Sequence, residues 1–216
     1  MKEIPILFKT EMVKAILAGS KTQTRRITGF KEVNADPGDY QFEWADYALK
    51  LPFRFTQKSS LNRESLEDCS FNQVALKSPY GMRGDLLWVK ETFQIRKDPF
   101  TGSENVIYKA DNNTADKWRP SLFMPRYASR ITLEIVLVRC ERLNEITEAD
   151  AIAEGIEGKY FPNIGVGTRF YKDYFTGEFG LNPTASYRTL WESINGVGSW
   201  DLNPFVFVIE FKRIEP

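Results

Sequence analysis

The chain has 216 residues, 42% hydrophobic and 27% charged, which suits one globular domain with generous loops and excludes disorder as its default state. Lys plus Arg equal Asp plus Glu at 29 each, so bulk charge does not favour long phosphate tracking; any contact with nucleic acid must use a local patch or a single small unit. The absence of histidine excludes His-based triads and deaminase-type zinc centres, and with only Cys69 and Cys140 no structural zinc and no disulfide framework are expected.

Both cysteines are expected as reduced core residues. No apolar run of about 18 residues is present, which predicts no membrane span. The opening MKEIPILFKTEMVK lacks the apolar core and cleavage site of a signal peptide. A cytoplasmic protein with no membrane partner follows as the expectation.

In chain order, the first predicted element is a helix over about Thr10–Ala18, with Thr10 as N-cap, an apolar stripe through Met12, Ala15 and Ile16, and Gly19 as its stop. Residues from about Thr28 to Pro79 mix aromatic fragments, Tyr40–Tyr47 and Phe53–Phe55, with polar runs; they are expected to be an insertion with short strands of its own. Gly81–Asp85 opens a strand that places Leu87, Val89, Glu91 and Phe93 on one face and Trp88, Lys90 and Thr92 on the other. A hairpin arm follows near Val106–Ala110. The clearest strand puts Ile131, Leu133, Ile135 and Leu137 on one face.

Thr147 with Asp150 predicts a capped short helix that Gly155 stops. The aromatic stretch Gly158–Gly180 is expected as a long loop or hairpin over the surface, of the kind that often serves as a lid or binding loop. Ser186–Ile194 is a second short helix with Leu190, Trp191 and Ile194 as its stripe. Phe205–Lys212 alternates as the last strand. Separated strands with few helices predict a mainly β, α+β fold rather than a doubly wound sheet.

The densest chemistry is GSKTQTRR, Gly19–Arg26: Lys21, Arg25 and Arg26 with Thr22 and Thr24. Such a cluster can bind phosphate or carry a hydroxyl nucleophile. The same residues also suit a solvated basic loop or edge strand. Glu154, in the last turn of a helix, opposes the helix dipole, which another role could offset; it is equally a solvated surface acid. Glu91 shares a face with apolar residues, so it is expected either to pair with Lys21 or Arg26 or to reach water at a bulge. Trp88, Trp118, Trp191 and Trp200 could stack on bases, or fill the core. Lys159, Arg169 and Lys172 interleave with the aromatics of 160–175, and Arg119, Arg126 and Arg130 could meet phosphate.

AGSKTQTR resembles the signature G-x-K-x-x-T-x-R of the ASCH family, with Gly19, Lys21, Thr24 and Arg26 in place. MVKAILAG resembles that family's first helix, Gly84–Asp85 its "GD" strand, ITEADAIAEG its acidic helix and FVFVIEFK its closing strand. The order spans the whole chain as one domain, 1–216, with additions at about 28–80 and 156–185, as in the longer phage and prophage members. The resemblance implies a PUA-like β-barrel whose cleft meets a nucleoside or RNA. No cofactor and, from the residue types, no metal are expected. One branch hydrolyses the acetyl amide of N(4)-acetylcytidine; by that likeness Lys21, Thr24 and Glu154 are the catalytic candidates. Arg25, Arg26, Glu91 and Trp88, singled out above by charge, strand face and stacking ability, are the substrate-binding candidates. A non-catalytic RNA or modified-base binder and a ribonuclease are the alternatives.

If Lys21–Ile27 were one regular strand, Lys21 and Thr24 would face opposite sides. Their cooperation requires Lys21 to lie before the strand begins.

Overall fold

The computed structural model describes residues 1–44, 53–58, 73–161, 163 and 167–214. Cys69 and Tyr47 fall outside them. The chain is mostly β, arranged in several sheets with three α-helices among the described residues. No helix there is long and apolar enough to cross a membrane.

The central sheet has five strands in the order β1 (Glu3–Leu7), β6 (Leu86–Lys90), β9 (Thr132–Arg142), β13 (Phe205–Ile214) and β2 (Gln23–Arg26). β1 runs parallel to β6, and the other neighbours are antiparallel. The sheet curls until its edges β1 and β2 face each other, yet among the described residues it does not close into a barrel. Arg26 Nη2 bridges the seam by donating to the Leu7 carbonyl at 2.8 Å.

β13 is apolar on both faces, the pattern of a strand covered on both sides. Phe205, Phe207, Ile209 and Phe211 face inward, while Val206 and Val208 meet α2 (Glu148–Ala153) and α3 (Pro183–Asn195) through Ala151, Tyr187, Leu190 and Trp191. The stretch expected as an insertion supplies much of the inner core. β3 (Tyr40–Trp44), β4 (Phe53–Gln57) and β5 (Gln73–Leu76) form their own sheet. Phe53 and Phe55 are nevertheless fully buried against Phe207 and Phe205, with ring centroids 5.1 and 5.0 Å apart.

Several local expectations need correction. β1 was not foreseen, because only Ile6 of its five residues is fully buried. Lys9, not Thr10, is the N-cap of α1 (Thr10–Leu17), and its side chain makes no cap bond. α3 starts earlier than expected: Asn182 accepts from the Ala185 N–H at 3.0 Å, with Pro183 in the first turn. Ile194, placed in its apolar stripe, is half-exposed. The strand through Leu87 and Val89 ends at Lys90, and Phe93 begins β7 (Phe93–Lys97), paired with β8 (Glu104–Tyr108). The stretch 158–180 carries β10 (Gly158–Tyr160), β11 (Arg169–Lys172) and β12 (Phe179–Gly180).

One irregularity positions the site. In β9, Leu137 pairs with Glu210 and Ile135 with Phe211, so Val136 is left over as a bulge. Leu133 and Ile135 are buried before it, Val138 and Cys140 after it. The buried face therefore shifts from odd to even positions, and Leu137 is only half-buried. Arg139 and Glu141 are turned onto the outer face, beneath α2 and beside Arg25.

Candidate functional site

Two helix ends bring Lys21 and Glu154 together. After α1, Gly19 adopts φ +74°, and the backbone N–H groups of Ser20 and Lys21 both donate to the Ala15 carbonyl. Lys21 thus lies before β2, in an isolated bridge with Glu154, the C-cap of α2. This is the placement that cooperation between Lys21 and Thr24 requires. Thr147 caps α2, accepting from the Asp150 N–H at 3.1 Å, and Gly155 ends it at φ +79°.

The Lys21 side chain is wholly enclosed. Its Nζ donates to Glu154 Oε2 at 2.9 Å, to the Glu154 carbonyl at 2.7 Å and to the Gln23 carbonyl at 2.8 Å. Those three acceptors take all three ammonium hydrogens. Burial lowers the Lys21 pKa and outweighs the upward pull of Glu154; Arg26 and Arg25 push the same way as burial.

Arg25 is the hub. Nε and Nη2 donate to Glu141 Oε1 at 2.9 and 2.6 Å, Nη1 donates to Glu154 Oε1 at 3.1 Å, and Nη2 lies 3.3 Å from Asp150 Oδ2. Burial disfavours its charge, but Glu154, Tyr187 and Glu141 outweigh that and raise its pKa. Arg139 closes the network through Glu141, Asp150 and Glu210. Three cations thus face four carboxylates across the outer sheet face. A lone Glu154 at a helix C-terminus is unfavourable; one shared by Lys21 and Arg25 is not.

Asp150 gives this network a measurable pH signature. Burial pushes its carboxyl up, but the Gln23 amide, Arg25, Thr147 and Arg139 together hold it below the usual 3.8. A depressed carboxyl contributes stability that is complete above the unfolded pKa and is lost as pH falls through the folded one. The advantage of the wild type over Asp150→Asn, whose amide oxygen can still accept from Thr147, should be full at about pH 5 and should shrink below pH 3.8. Urea unfolding of both proteins across that range checks it; a gap independent of pH would contradict the assignment.

A cavity of about 220 Å³ opens in the seam between β1 and β2, under α3. Thr24, Arg25, Arg26 and Glu154 line it, with Tyr187 and Trp191 from α3 and Ile6 from β1. Lys21 sits behind this wall, 5.6 Å from the Phe8 ring centroid. The Tyr187 phenol is pushed well up by burial and by Glu154. The Trp191 indole N–H is buried and has no hydrogen-bond partner among the described residues.

The structure therefore joins Lys21, Arg25 and Glu154 directly and places Thr24 and Arg26 on the same cavity. It does not bring Glu91 or Trp88 there. Glu91 is buried, but its carboxylate is held by Arg130 at 2.9 and 3.2 Å rather than by Lys21 or Arg26. Arg130 also binds Asp111 and stacks over Tyr108 at 3.9 Å. Trp88 lies under the cations of Lys90 and Arg126. Among the described residues, none from 158–180 lines the cavity, so the expected lid is not over it. Sequence reasoning missed Glu141, Arg139 and Tyr187 as site residues. Tyr187 follows Ser186 in the predicted helix and was a readable signal; the other two depend on the bulge.

Among the described residues, no cluster of three or more Cys, Asp or Glu side chains is placed to hold a metal ion. No protein-family model, curated protein or solved structure matches the chain.

Proposed function

We propose that the seam cavity binds an N(4)-acylated cytidine or a related modified nucleoside and hydrolyses its amide, as the ASCH-like order of motifs suggests. The finer fold reading belongs with it: the curled five-stranded sheet is an open relative of the PUA-like barrel. The observation that carries the reading is the 2.9 Å contact between Lys21 Nζ and Glu154 Oε2, behind a cavity that Thr24 and Glu154 both line.

In this reading Thr24 Oγ attacks the acyl carbon, the carbon–N4 bond breaks, and water later cleaves the threonyl ester to free the acid. The hydroxyl proton needs an acceptor. Lys21 becomes one by passing a proton to Glu154 Oε2, a transfer that burial of the ammonium favours. Thr24's proton then travels by way of the amine to the departing nitrogen. Nζ must first leave one of its two carbonyl acceptors, so substrate entry has to loosen the Lys21 turn. Arg26 and Trp191, which line the cavity, carry donors for a developing oxyanion.

Thr24→Val keeps the side-chain shape and removes the hydroxyl. It should leave the fold intact and reduce acid release from N(4)-acetylcytidine at least ~10²-fold, read by chromatography. A variant as fast as the wild type would remove Thr24 from the mechanism.

Binding without turnover is the second reading. It is favoured by the fact that every ammonium hydrogen of Lys21 and both carboxylate oxygens of Glu154 are already engaged. Nucleoside affinity with no acid release by the wild type would select it.

A further inference from the structure

The seam cavity has a buried inner end and an open mouth, and two stretches of chain run from one to the other. Along β2 and the residues after it, Thr24 is 2% exposed and Ile27 is 42% exposed. Along α3, Tyr187 is 3% exposed and Ile194 is 37% exposed. Tyr187, Leu190, Trp191 and Ile194 have the spacing of one helix face, and all four line the cavity. The inner end therefore holds Thr24 and Tyr187 together with Arg25 and Glu154, while the exposed aliphatic side chains Leu7, Ile27 and Ile194 stand at the mouth.

Tyr187 has no part in the steps given above, yet it is held as firmly as the groups that do. Its ring centroid lies 6.4 Å from that of Trp191 and 6.2 Å from that of Trp200, and the Arg25 guanidinium carbon is 5.8 Å from it. The preceding residue, Ser186, ties this turn of α3 down by donating to the Lys172 carbonyl at 2.6 Å. Burial does most to raise the phenol's pKa; among charges Glu154 acts on it first, then Arg25 and Arg26, all of them groups of the cavity wall. The hydroxyl end of the ring is thus turned to that wall, and it keeps its proton at neutral pH.

Neither the Tyr187 hydroxyl nor the Thr24 hydroxyl makes a hydrogen bond with a described residue. Glu154 does not take the phenol proton in a bond, because its two oxygens already serve Lys21 and Arg25. Buried hydroxyls are normally paired. Two unpaired ones on the walls of one cavity are a nucleophile and a neutral donor at the same buried end. If Thr24 attacks the acyl carbon there, the oxygen on that carbon is about 1.2 Å further on and needs a donor at the same end.

We infer that Tyr187 is a catalytic residue whose hydroxyl donates a hydrogen bond to the acyl oxygen of the substrate, which enters the seam acyl group first and leaves its base at the mouth. This rests on the hydrolase reading of the seam and assigns a donor and an orientation within it. The bond strengthens as Thr24 Oγ bonds to the acyl carbon, because the C=O electron pair moves onto the oxygen. When that pair re-forms the carbonyl and the carbon–N4 bond breaks, the phenol still holds its own proton. A fixed ring needs no rearrangement to meet the charge as it develops. α3 carries none of the ASCH-like motifs, so this role comes from the structure alone.

The test is Tyr187→Phe, which deletes the hydroxyl and keeps the ring. For acid release from N(4)-acetylcytidine, kcat should fall about 10²-fold, with KM raised no more than about tenfold. Circular dichroism and the melting temperature should match the wild type, because the hydroxyl has no partner in the protein to lose. Binding is read separately by calorimetry in the Thr24→Val background, with N(4)-acetylcytidine and cytidine as ligands. With Tyr187 present the acetylated nucleoside should bind about three- to tenfold more tightly than cytidine, the yield of one neutral hydrogen bond, and with Tyr187→Phe the two should bind alike.

An unchanged kcat, or a loss carried by KM alone, overturns the proposal. So does a lowered melting temperature in Tyr187→Phe, which would show the hydroxyl bonded inside the protein. If the wild type releases no acid, but the acetyl preference is present and vanishes in Tyr187→Phe, the hydrolase reading alone fails and Tyr187 remains the donor to the acyl oxygen. If neither nucleoside binds, both fail.

Discussion

Glu154→Gln should unfold far more readily than the wild type, losing about 3–5 kcal/mol of stability. The side chain is buried and its two oxygens serve different cations, Oε2 for Lys21 and Oε1 for Arg25. Gln offers one carbonyl oxygen and one NH2 group, so whichever way the amide turns, a donor faces a buried ammonium or guanidinium. The charge that offset Lys21's desolvation disappears as well. For a chain of this size the loss corresponds to a fall in Tm of roughly 6–20 °C, measurable by calorimetry. The exposed pair Lys14–Glu11, at 3.5 Å on the surface of α1, is the control; Glu11→Gln should change stability by less than about 1 kcal/mol. Similar small effects at both positions would mean that the buried network is relaxed or hydrated in solution.

Gly155→Ala should be nearly as damaging, although it adds one methyl group. Gly155 has φ +79°, a region that costs an L-residue about 1–2 kcal/mol. A Cβ there would also lie 2.7 Å from Lys21 Cβ and 2.9 Å from Ala15 Cβ. Both neighbours are Cβ atoms fixed to backbone, so no side-chain rotation relieves the contact. The ends of α1 and α2 must separate, at an overpacking cost of about 1–3 kcal/mol. That separation opens the bridge between Lys21 and Glu154, so stability and site geometry should fail together. Denaturant unfolding, with binding of the proposed nucleoside ligand measured on the folded fraction, tests this. Gly19→Ala is the comparison: φ is similar at +74°, but none of the described residues would lie within 4 Å of the added Cβ, so only the backbone cost should appear. Equal losses at the two glycines would show that the close approach contributes nothing.

Short-range signals were legible. The alternation of Leu87 and Val89 against Trp88, the box of Thr147 with Asp150, and the two faces of Phe205–Lys212 all appear in the structure near the positions expected. Each depends on contacts within one or two turns of helix or one strand pair, where spacing alone carries the information. The clustering of Lys21 with Glu154, residues 133 apart in sequence, was suggested only by the order of the ASCH-like motifs.

What the chain determined by itself was the elements with a clear local period, such as α2, β6 and β13, the absence of imidazole chemistry, and a Lys–Thr–Arg cluster at the start of a strand; these follow from residue type and local period. Tertiary structure alone decided the rest. The bulge at Val136 reverses which residues of β9 face inward, and so delivers Glu141 and Arg139 to Arg25; its presence depends on the register against β13, not on a local pattern. Glu91 found Arg130 instead of Lys21 because β6 ends at Lys90, which leaves Glu91 in the turn before β7, where Arg130, just ahead of β9, holds it. Phe53 and Phe55 fill the core because the inner face of β13 presents Phe205 and Phe207 to them. Partners distant in sequence meet through the summed packing of the whole fold, and a one-residue shift in register is enough to exchange them.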